Sequence, residues 1–214
     1  MGGSVINCLV IGNVASNALN NRDGGGIFSY GATVEHCTVS GNRCGRNGTG
    51  VYQDRRANTD NVLRNSIVWG NMGLTNLVAG NEGGAGAVVQ VYSCVPELSH
   101  GVDGNITNAP NLTADYRTPW YSPCVDAGTN GTVLTDLDGN LRPLDGNMDG
   151  SSAPDLGAYE YNPTMSDDDR DGQSDYDEWR AGSDLTNAAS RFEFRSAAAA
   201  GAAGFELRWS SAAG

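Results

Sequence analysis

The sequence predicts an all-β fold in which short parallel strands wind into a β-helix. Three segments of similar sequence, residues 5–13, 34–42 and 63–71, follow one another at a spacing of 29 residues, and residues 91–94 form a degenerate fourth copy. Glycine is abundant, with 30 residues in a chain of 214, which suits a fold with a turn every few residues because glycine adopts positive φ angles at low cost. A repeat of this length with two or three short strands corresponds to one coil of a solenoid.

Each of the three full copies reads as a short strand that ends in Gly-Asn, a pair suited to a left-handed turn. Because coils stack in register, residues 29 positions apart should form ladders. The expected ladders are Cys8, Cys37 and Ser66 in one column, Val10, Val39 and Val68 in the next inward column, and Asn7, His36 and Asn65 at a bend. At the bend, side-chain amides can hydrogen-bond along the stack.

The repeat region resembles a known family. The phrases NCLVIGN, GGGIFSYGATVEHCTVSGN and LRNSIVWGN resemble right-handed parallel β-helix proteins of bacterial surfaces, including the polymorphic outer-membrane protein type. The resemblance covers residues 3–95, and we assign residues 1–95 to coils, with further coils and a signal peptide expected upstream. It implies a secreted or cell-surface protein. This scaffold carries adhesins as well as pectate-lyase-like and polygalacturonase-like enzymes, so the fold alone does not select a function.

Residues 96–162 are expected to form an irregular cap on the last coil, because an open β-helix end exposes unpaired strand groups and a slice of core. The phrases SPCVDAG, DGNLRP and DLGAYE resemble the region that closes secreted β-helix proteins of the choice-of-anchor Q type. The five cysteines allow up to two disulfides or none. A disulfide between Cys94 and Cys124 would pin the cap to the last coil, and the pairing of Cys8, Cys37 and Cys44 stays open.

The charged residues of the cap have two interpretations. Asp126, Asp138, Arg142, Asp155 and Glu160 could form a cation or ligand site, including a second metal site at Asp138, Asp155 and Glu160. Alternatively, they form a buried network in which the guanidinium ties turns together. We favour the network because Arg142 is the only base within a cluster of acids, and a guanidinium can bridge two carboxylates.

Residues 163–190 are predicted to contain a calcium-binding loop. Residues 167–178 match the twelve-residue pattern D-x-D-x-D-G-x-x-D-x-x-E at every defining position, with Gly172 at the sharp turn. The predicted ligands are Asp167, Asp169, Asp171, Gln173 through its backbone carbonyl, Asp175 and Glu178. Calcium takes six to eight oxygen ligands at flexible geometry, and this set supplies them.

Only the exit of this loop reads as a helix, from about Asp175 to Ala181, with Gly182 as its stop. The loop and the following AGSDLTNAAS therefore resemble thrombospondin type 3 and dockerin-like repeats rather than a complete EF-hand. One copy does not support cohesin binding, which uses a duplicated motif. The resemblance implies a structural calcium site that stiffens the passage to the next segment. Residues 191–214 are predicted to begin a further β domain, with strands at 192–194 and 205–209.

Composition excludes several other functions. Thirteen acidic residues and two arginines lie within 136–178, so −11 of the net charge of −12 is concentrated there. Nucleic acid is excluded as a partner because little in the chain would neutralise phosphates. A membrane span is not expected, since no run of about 18 apolar residues occurs. Two histidines give no convincing zinc site. We expect a monomer.

An enzymatic alternative remains open. A polysaccharide lyase or glycoside hydrolase on the β-helix would need paired carboxylates, or calcium beside an arginine base. The weak candidates are Asp54, Arg55, Arg56, Asp60 and Glu35, of which the stretch 54–56 is expected to protrude between coil strands as a solvated loop. We favour a calcium-binding adhesion, binding or stalk module, with an extracellular polysaccharide or a cell-surface ligand as its partner.

Overall fold

The computed structural model describes residues 3–15, 24–45, 47–55, 58–80, 84–199 and 205–211. The predicted Arg56 lies outside these residues. The chain divides into two compact units, Met1–Tyr161 and Asn162–Gly214. Over the described ranges, no helix is long and apolar enough to cross a membrane.

The first unit is built from short parallel strands. In chain order these are β1 (Ser4–Ile6), β2 (Leu9–Ile11), β3 (Val14–Ala15), β4 (Ile27–Tyr30), β5 (Thr33–Glu35), β6 (Thr38–Ser40), β7 (Arg43–Cys44), β8 (Val51–Asp54), β9 (Asn61–Arg64), β10 (Ile67–Trp69), β11 (Leu77–Ala79) and β12 (Val88–Val91). The sheet orders are β1-β5-β9-β12, β2-β6-β10, β4-β8-β11 and β3-β7. Each sheet takes its strands from successive turns of chain, which is the topology of a β-helix, so the predicted fold class is confirmed.

The predicted inward ladder forms the core of the coils. Val39 pairs with Val10 on one side and with Val68 on the other, at the predicted spacing. Val39 and Val68 are completely buried, and each contributes about 1.5–3 kcal/mol through removal of its side chain from water. The neighbouring column is also confirmed, because the backbone N–H of Cys37 donates to Ser66 Oγ at 3.1 Å.

The predicted bend ladder is present, and its backbone explains its composition. Asn7, His36 and Asn65 have φ angles of 50°, 47° and 49°, in the left-handed region. Asparagine and histidine are enriched among the non-glycine residues that tolerate this conformation. In the fourth coil, the pairing of β12 with β9 puts Tyr92 at the same bend with φ 44°. A tyrosine at this place was not predictable from the repeat.

His36 is a neutral, buried member of the bend ladder. Thr129 N–H donates to Asn65 Oδ1 at 2.9 Å, which orients the amide so that Asn65 Nδ2 donates to His36 Nε2 at 3.0 Å. The imidazole therefore carries no proton on Nε2. Burial, assisted by the nearby Arg142 and Arg64, lowers the pKa of His36 to about 3.

We expect His36→Asn to reduce the acid sensitivity of the first unit. The unfolded chain binds a proton at His36 below about pH 6.5, whereas the folded state resists it down to about pH 3, so the stability due to this residue is complete above pH 6.5 and falls as the pH drops. The loss at pH 5 is about 2 kcal/mol. Asparagine suits the backbone, as at Asn7 and Asn65. Urea unfolding at pH 7.5 and 5 measures the difference, and equal acid losses in both proteins would contradict it.

A second ladder of asparagines follows the Gly-Asn turns. Asn13 Nδ2 donates to Asn42 Oδ1 at 2.9 Å, and Asn42 Nδ2 donates to Asn71 Oδ1 at 2.9 Å. Asn71 Nδ2 then donates to Asn76 Oδ1 at 3.2 Å, and Asn76 Nδ2 donates to Glu97 Oε1 at 3.2 Å. The repeat revealed the first three members, but not the last two.

Replacement of Asn42 by alanine is expected to destabilise the first unit by about 2–3 kcal/mol. Asn42 is completely buried, and its amide also donates to the Val10 carbonyl at 2.9 Å, so the substitution leaves buried groups unpaired. Asn13→Ala is the matched control, because Asn13 is exposed at the end of the ladder. Equal losses in urea unfolding of the two variants would show that the ladder carries no such energy.

The cap begins as one more rung on the fourth coil. Ile106 N–H donates to the Ser93 carbonyl and Val95 N–H donates to the Ile106 carbonyl, both at 2.9 Å. A 3₁₀ turn at Val102–Gly104 precedes this rung. The segment thus pairs edge groups of the last coil.

The later part of the cap lies along the coils. Asn7 Nδ2 donates to the Thr135 carbonyl, and Asn65 Nδ2 donates to the Thr129 carbonyl at 2.8 Å. Between them, Ala158 N–H donates to Thr38 Oγ1 at 3.0 Å. Asn7 and Asn65 of the bend ladder therefore bind the cap, and not only their neighbours within the ladder. These contacts were not predicted from the sequence.

All five cysteines are free thiols, so the disulfide considered between Cys94 and Cys124 is absent from the structure. Both side chains are completely buried in one apolar cluster with Ile67 and Leu156. The neighbouring Cys94 and burial raise the pKa of the Cys124 thiol well above its ordinary value. The two cysteines serve as core residues at the contact of coil and cap.

In its described residues, the second unit contains one helix and a β-hairpin. Helix α1 (Asp175–Ala181) ends at Gly182, whose φ is 72°, so the predicted bounds and stop are confirmed. Strands β13 (Phe192–Ala199) and β14 (Phe205–Ser211) pair antiparallel. The first strand is longer than predicted because the alanines that follow its aromatic start also pair with β14.

Candidate metal centre

Three carboxylates converge in the predicted calcium loop. One oxygen from each of Asp167, Asp169 and Asp171 lies within 4.8 Å of the other two, and the three residues are half-buried. Within the described parts of the chain, this is the only group of three or more acidic, histidine or cysteine side chains arranged in this way. The arrangement could hold a metal ion.

Backbone hydrogen bonds hold the loop in this form. Asp171 N–H donates to Asp169 Oδ1 at 3.1 Å, and Gly172 N–H donates to Asp167 Oδ2 at 3.0 Å. Gln173 N–H donates to Asp171 Oδ1 at 2.8 Å. Gly172 has φ 93°, a conformation that side chains rarely adopt, which explains glycine at the sixth position.

Glu178 supplies an observation independent of the triad. Its residue is completely buried, yet neither carboxylate oxygen has a hydrogen-bond partner. The Oδ2 atoms of Asp169 and Asp171 are also buried without a partner. Four unpaired buried carboxylate oxygens are costly, because buried anions are normally paired or bound to metal. This donor set fits a hard cation.

The electrostatics of Glu178 point the same way. Burial, followed by the charges of Asp169 and Asp171, raises the pKa of Glu178 to about 7. A divalent cation among these groups would relieve the repulsion and compensate the lost hydration. The helix positions Glu178: Ser174 Oγ caps α1 by accepting from Asp177 N–H at 3.2 Å.

The other two predicted ligands have visible structural contacts. Asp175 is completely buried, and its Oδ1 accepts from Asp168 N–H at 2.9 Å, which joins the start of the loop to the helix. The side chain of Gln173 pairs with the backbone of Phe192, donating at 3.1 Å and accepting at 3.3 Å. This leaves the Gln173 carbonyl as its predicted ligand atom. The side-chain contact with β13 was not predicted.

A second loop, which begins at Asp145, has the same backbone hydrogen-bond pattern as the loop at 167–178. Asp149 N–H donates to Asn147 Oδ1 at 3.0 Å, and Gly150 N–H donates to Asp145 Oδ2 at 2.9 Å, as in the loop at 167–178. The position equivalent to Glu178 is Leu156, a core residue. The pattern is therefore a turn that acidic residues form without a twelfth ligand, and Glu178 is what distinguishes the loop at 167–178.

The acidic residues of the cap form the favoured hydrogen-bonded network. Arg142 Nη1 contacts Glu160 Oε2 at 2.7 Å and the Asp155 carbonyl at 3.0 Å. Asp155 also accepts from the N–H groups of Asp126 and Tyr161. The carboxylates of this network are thus engaged by donors of the protein itself.

The other two acidic residues of the alternative cap site, Asp126 and Asp138, also have partners within the protein. Asp126 accepts from the N–H groups of Gly146 and Asn147. Asp138 instead forms an ion pair with Arg117 at 2.5 Å, near the surface. The arrangement supports the structural interpretation of the cap over a second metal site.

The candidate residues for an enzyme lie in different local surroundings. Glu35 is buried in β5 and pairs with Arg64 at 2.8 Å. Asp54 is buried at the end of β8, stacked beside Tyr30, so the prediction that it protrudes is wrong. Its place in a strand explains the burial. Asp60 is exposed and accepts from Ala87 N–H at 2.8 Å. Arg55 is half-buried in the turn after β8.

No family model, no curated protein and no solved structure matches this chain.

Proposed function

We propose that the protein binds one calcium ion in the loop at 167–178 and uses it to fold and stiffen the second unit. The single observation that carries the proposal is the completely buried Glu178 carboxylate without a hydrogen-bond partner, beside the convergent aspartates. The neighbouring Ser183 hydroxyl donates to the Glu178 backbone carbonyl instead, at 3.3 Å. The ion would be held by Asp167, Asp169, Asp171, the Gln173 carbonyl and Glu178. Asp175 contributes directly or through water, as well as by its bond to Asp168. A bound cation supplies charge neutralisation, and the chain supplies oxygen donors.

We further propose that the coils act as an extracellular binding or stalk module. The support is the outward surface, which combines hydroxyl, aromatic and apolar side chains rather than paired carboxylates. One column that points away from the coil core contains Ile11, which is exposed, Ser40, which is buried, and Trp69, which is partly buried. In another, the rings of Phe28 and Tyr52 stack at 5.3 Å, and Phe28 is half exposed. Such a surface suits adhesion to a polysaccharide or a cell-surface ligand.

Isothermal titration of the metal-free chain tests the calcium site. We expect one calcium ion per chain with a dissociation constant in the extracellular range of about 10⁻⁴–10⁻³ M, and weaker binding of magnesium, which demands a tighter octahedral geometry. The variant Glu178→Gln keeps the size of the side chain and should abolish saturable binding. Equal calcium binding by parent and variant would refute the assignment.

A further inference from the structure

A groove lies between one outward face of the coils and the cap. It encloses about 290 Å³ and is lined by Ser40, Trp69, Asn111, Leu112, Thr113 and Tyr116. The size is at the small end of ligand sites, and the mixture of aromatic and polar lining is typical of them.

The register of the strands explains why a tryptophan faces outward here. Trp69 pairs with Ser40, and both follow completely buried core valines in their strands. Because side chains alternate across a strand, the residues after the valines point away from the core. The cap covers the preceding outward residue, Thr38, through the Ala158 N–H bond of 3.0 Å. It leaves the next column partly open, and the groove forms there.

The opposite wall is held in an uncommon backbone conformation. Tyr116 has φ 66° and Asn111 has φ 52°. A left-handed conformation is unusual for a bulky residue, and such residues persist only where surrounding contacts fix them. Thr113 N–H donates to the Arg117 carbonyl at 2.9 Å, and Tyr116 N–H donates to the Thr113 carbonyl at 3.0 Å. This tight turn presents the tyrosine to the groove.

The lining selects a neutral ligand. Its polar side chains are hydroxyls and one carboxamide, and none of the lining residues is charged. The nearby Arg117 is shared by two carboxylates, Asp115 at 2.9 Å and Asp138 at 2.5 Å, so this group carries a net negative charge that disfavours an anionic ligand. Aromatic rings offer apolar faces, and hydroxyl and amide groups both donate and accept hydrogen bonds. A sugar ring has the matching combination of C–H faces and hydroxyl edges.

We propose that this groove binds a neutral sugar of one or two pyranose rings, packed on the aromatic side chains of Trp69 and Tyr116. The hydroxyl of Ser40 and the amide of Asn111 would hydrogen-bond to the ring hydroxyls. The Thr113 hydroxyl is engaged within the turn, because it donates to Asp115 Oδ1 at 2.6 Å and accepts from Arg117 N–H at 3.0 Å. The site lies in the first unit and does not depend on calcium, so it can fail or succeed independently of the metal centre.

The test follows the indole N–H signals of the tryptophans by NMR in the full chain. The probes are glucose, galactose, mannose, N-acetylglucosamine, the disaccharides cellobiose and lactose, and glucuronate as an acidic counterpart. We expect at least one neutral sugar to shift the Trp69 signal saturably, with glucuronate weaker. No saturable shift with any neutral sugar, or equal binding of glucuronate, would overturn the proposal.

Two variants localise the binding. Asn111→Gly removes the amide and tolerates the left-handed backbone of this exposed turn, so it should keep the melting temperature and weaken sugar binding measurably. Trp69→Ala should weaken binding about tenfold or more, as expected for an aromatic anchor. Trp179→Ala is the matched control, since Trp179 is exposed on α1 in the other unit. Sugar affinity unchanged in Asn111→Gly, or lowered equally in Trp179→Ala, would place the binding elsewhere and overturn the proposal.

Discussion

Calcium at about 10 mM is expected to raise the melting temperature of the second unit by about 5–15 °C. With a dissociation constant of about 10⁻⁴–10⁻³ M, this concentration stabilises the folded form by about 1.4–2.7 kcal/mol, and small units shift by several degrees per kcal/mol. The physical source is the relief of repulsion among Asp169, Asp171 and the buried Glu178. Trp179, next to Glu178 on α1, provides a fluorescence signal for the transition.

Isosteric variants separate ion binding from general charge effects. Asp169→Asn and Glu178→Gln should remove the calcium-induced shift, and above pH 7 Glu178→Gln should be more stable than the metal-free parent because it lacks the repelled charge. Asp168→Asn makes the same charge change outside the ligand positions and should retain the shift. A calcium shift of the same size in Glu178→Gln and Asp168→Asn would contradict the site.

Replacement of Arg142 by methionine is expected to cost about 3–5 kcal/mol of unfolding free energy in the first unit. The Arg142 side chain is buried and binds the Glu160 carboxylate and two backbone carbonyls, those of Asp155 and Gly157. Its loss leaves Glu160 as an uncompensated buried anion. Urea unfolding measures the change, and Arg117→Met is the control, because its exposed pairs are worth at most about 1 kcal/mol.

The Arg142→Met loss should depend on pH in a defined direction. Burial already raises the pKa of Glu160 to about 7 in the parent, well above its ordinary value of 4.5. The folded state therefore binds this proton more tightly than the unfolded chain, and stability falls as the pH rises from about 4.5 through 7. Without Arg142 the folded pKa rises further, so the variant should regain stability between pH 8 and 5. A loss no larger than that of Arg117→Met, or no such recovery, would contradict the network.

The repeat predicted the coils because stacking converts a sequence spacing into a contact. Val10, Val39 and Val68 had to form one column once the period of 29 residues was recognised. The fourth coil departs from that period and places Tyr92 at the bend, which a degenerate repeat could not reveal. The helix at Asp175–Ala181 was predictable because its cap and its glycine stop are both local signals.

What could not be predicted depends on contacts between distant parts of the chain. The burial of Asp54 and the pairing of Glu35 with Arg64 follow from strand packing rather than from local sequence. The loop pattern named Glu178 as a ligand, but only the fold shows its oxygens buried and unpaired. The groove at Trp69 could not be predicted because the cap residues that close it lie more than forty positions later in the sequence.

The side contacts of the cap have a mechanical consequence. Asn7, Thr38 and Asn65 belong to three successive coils, and each is bonded to the segment between residues 129 and 158. Tension along the stack, which would separate neighbouring coils by breaking one rung of backbone hydrogen bonds, must also break these lateral bonds. The cap therefore distributes an applied force over three coils at once. Unfolding that starts at the last coil must first detach the cap from the side of the stack.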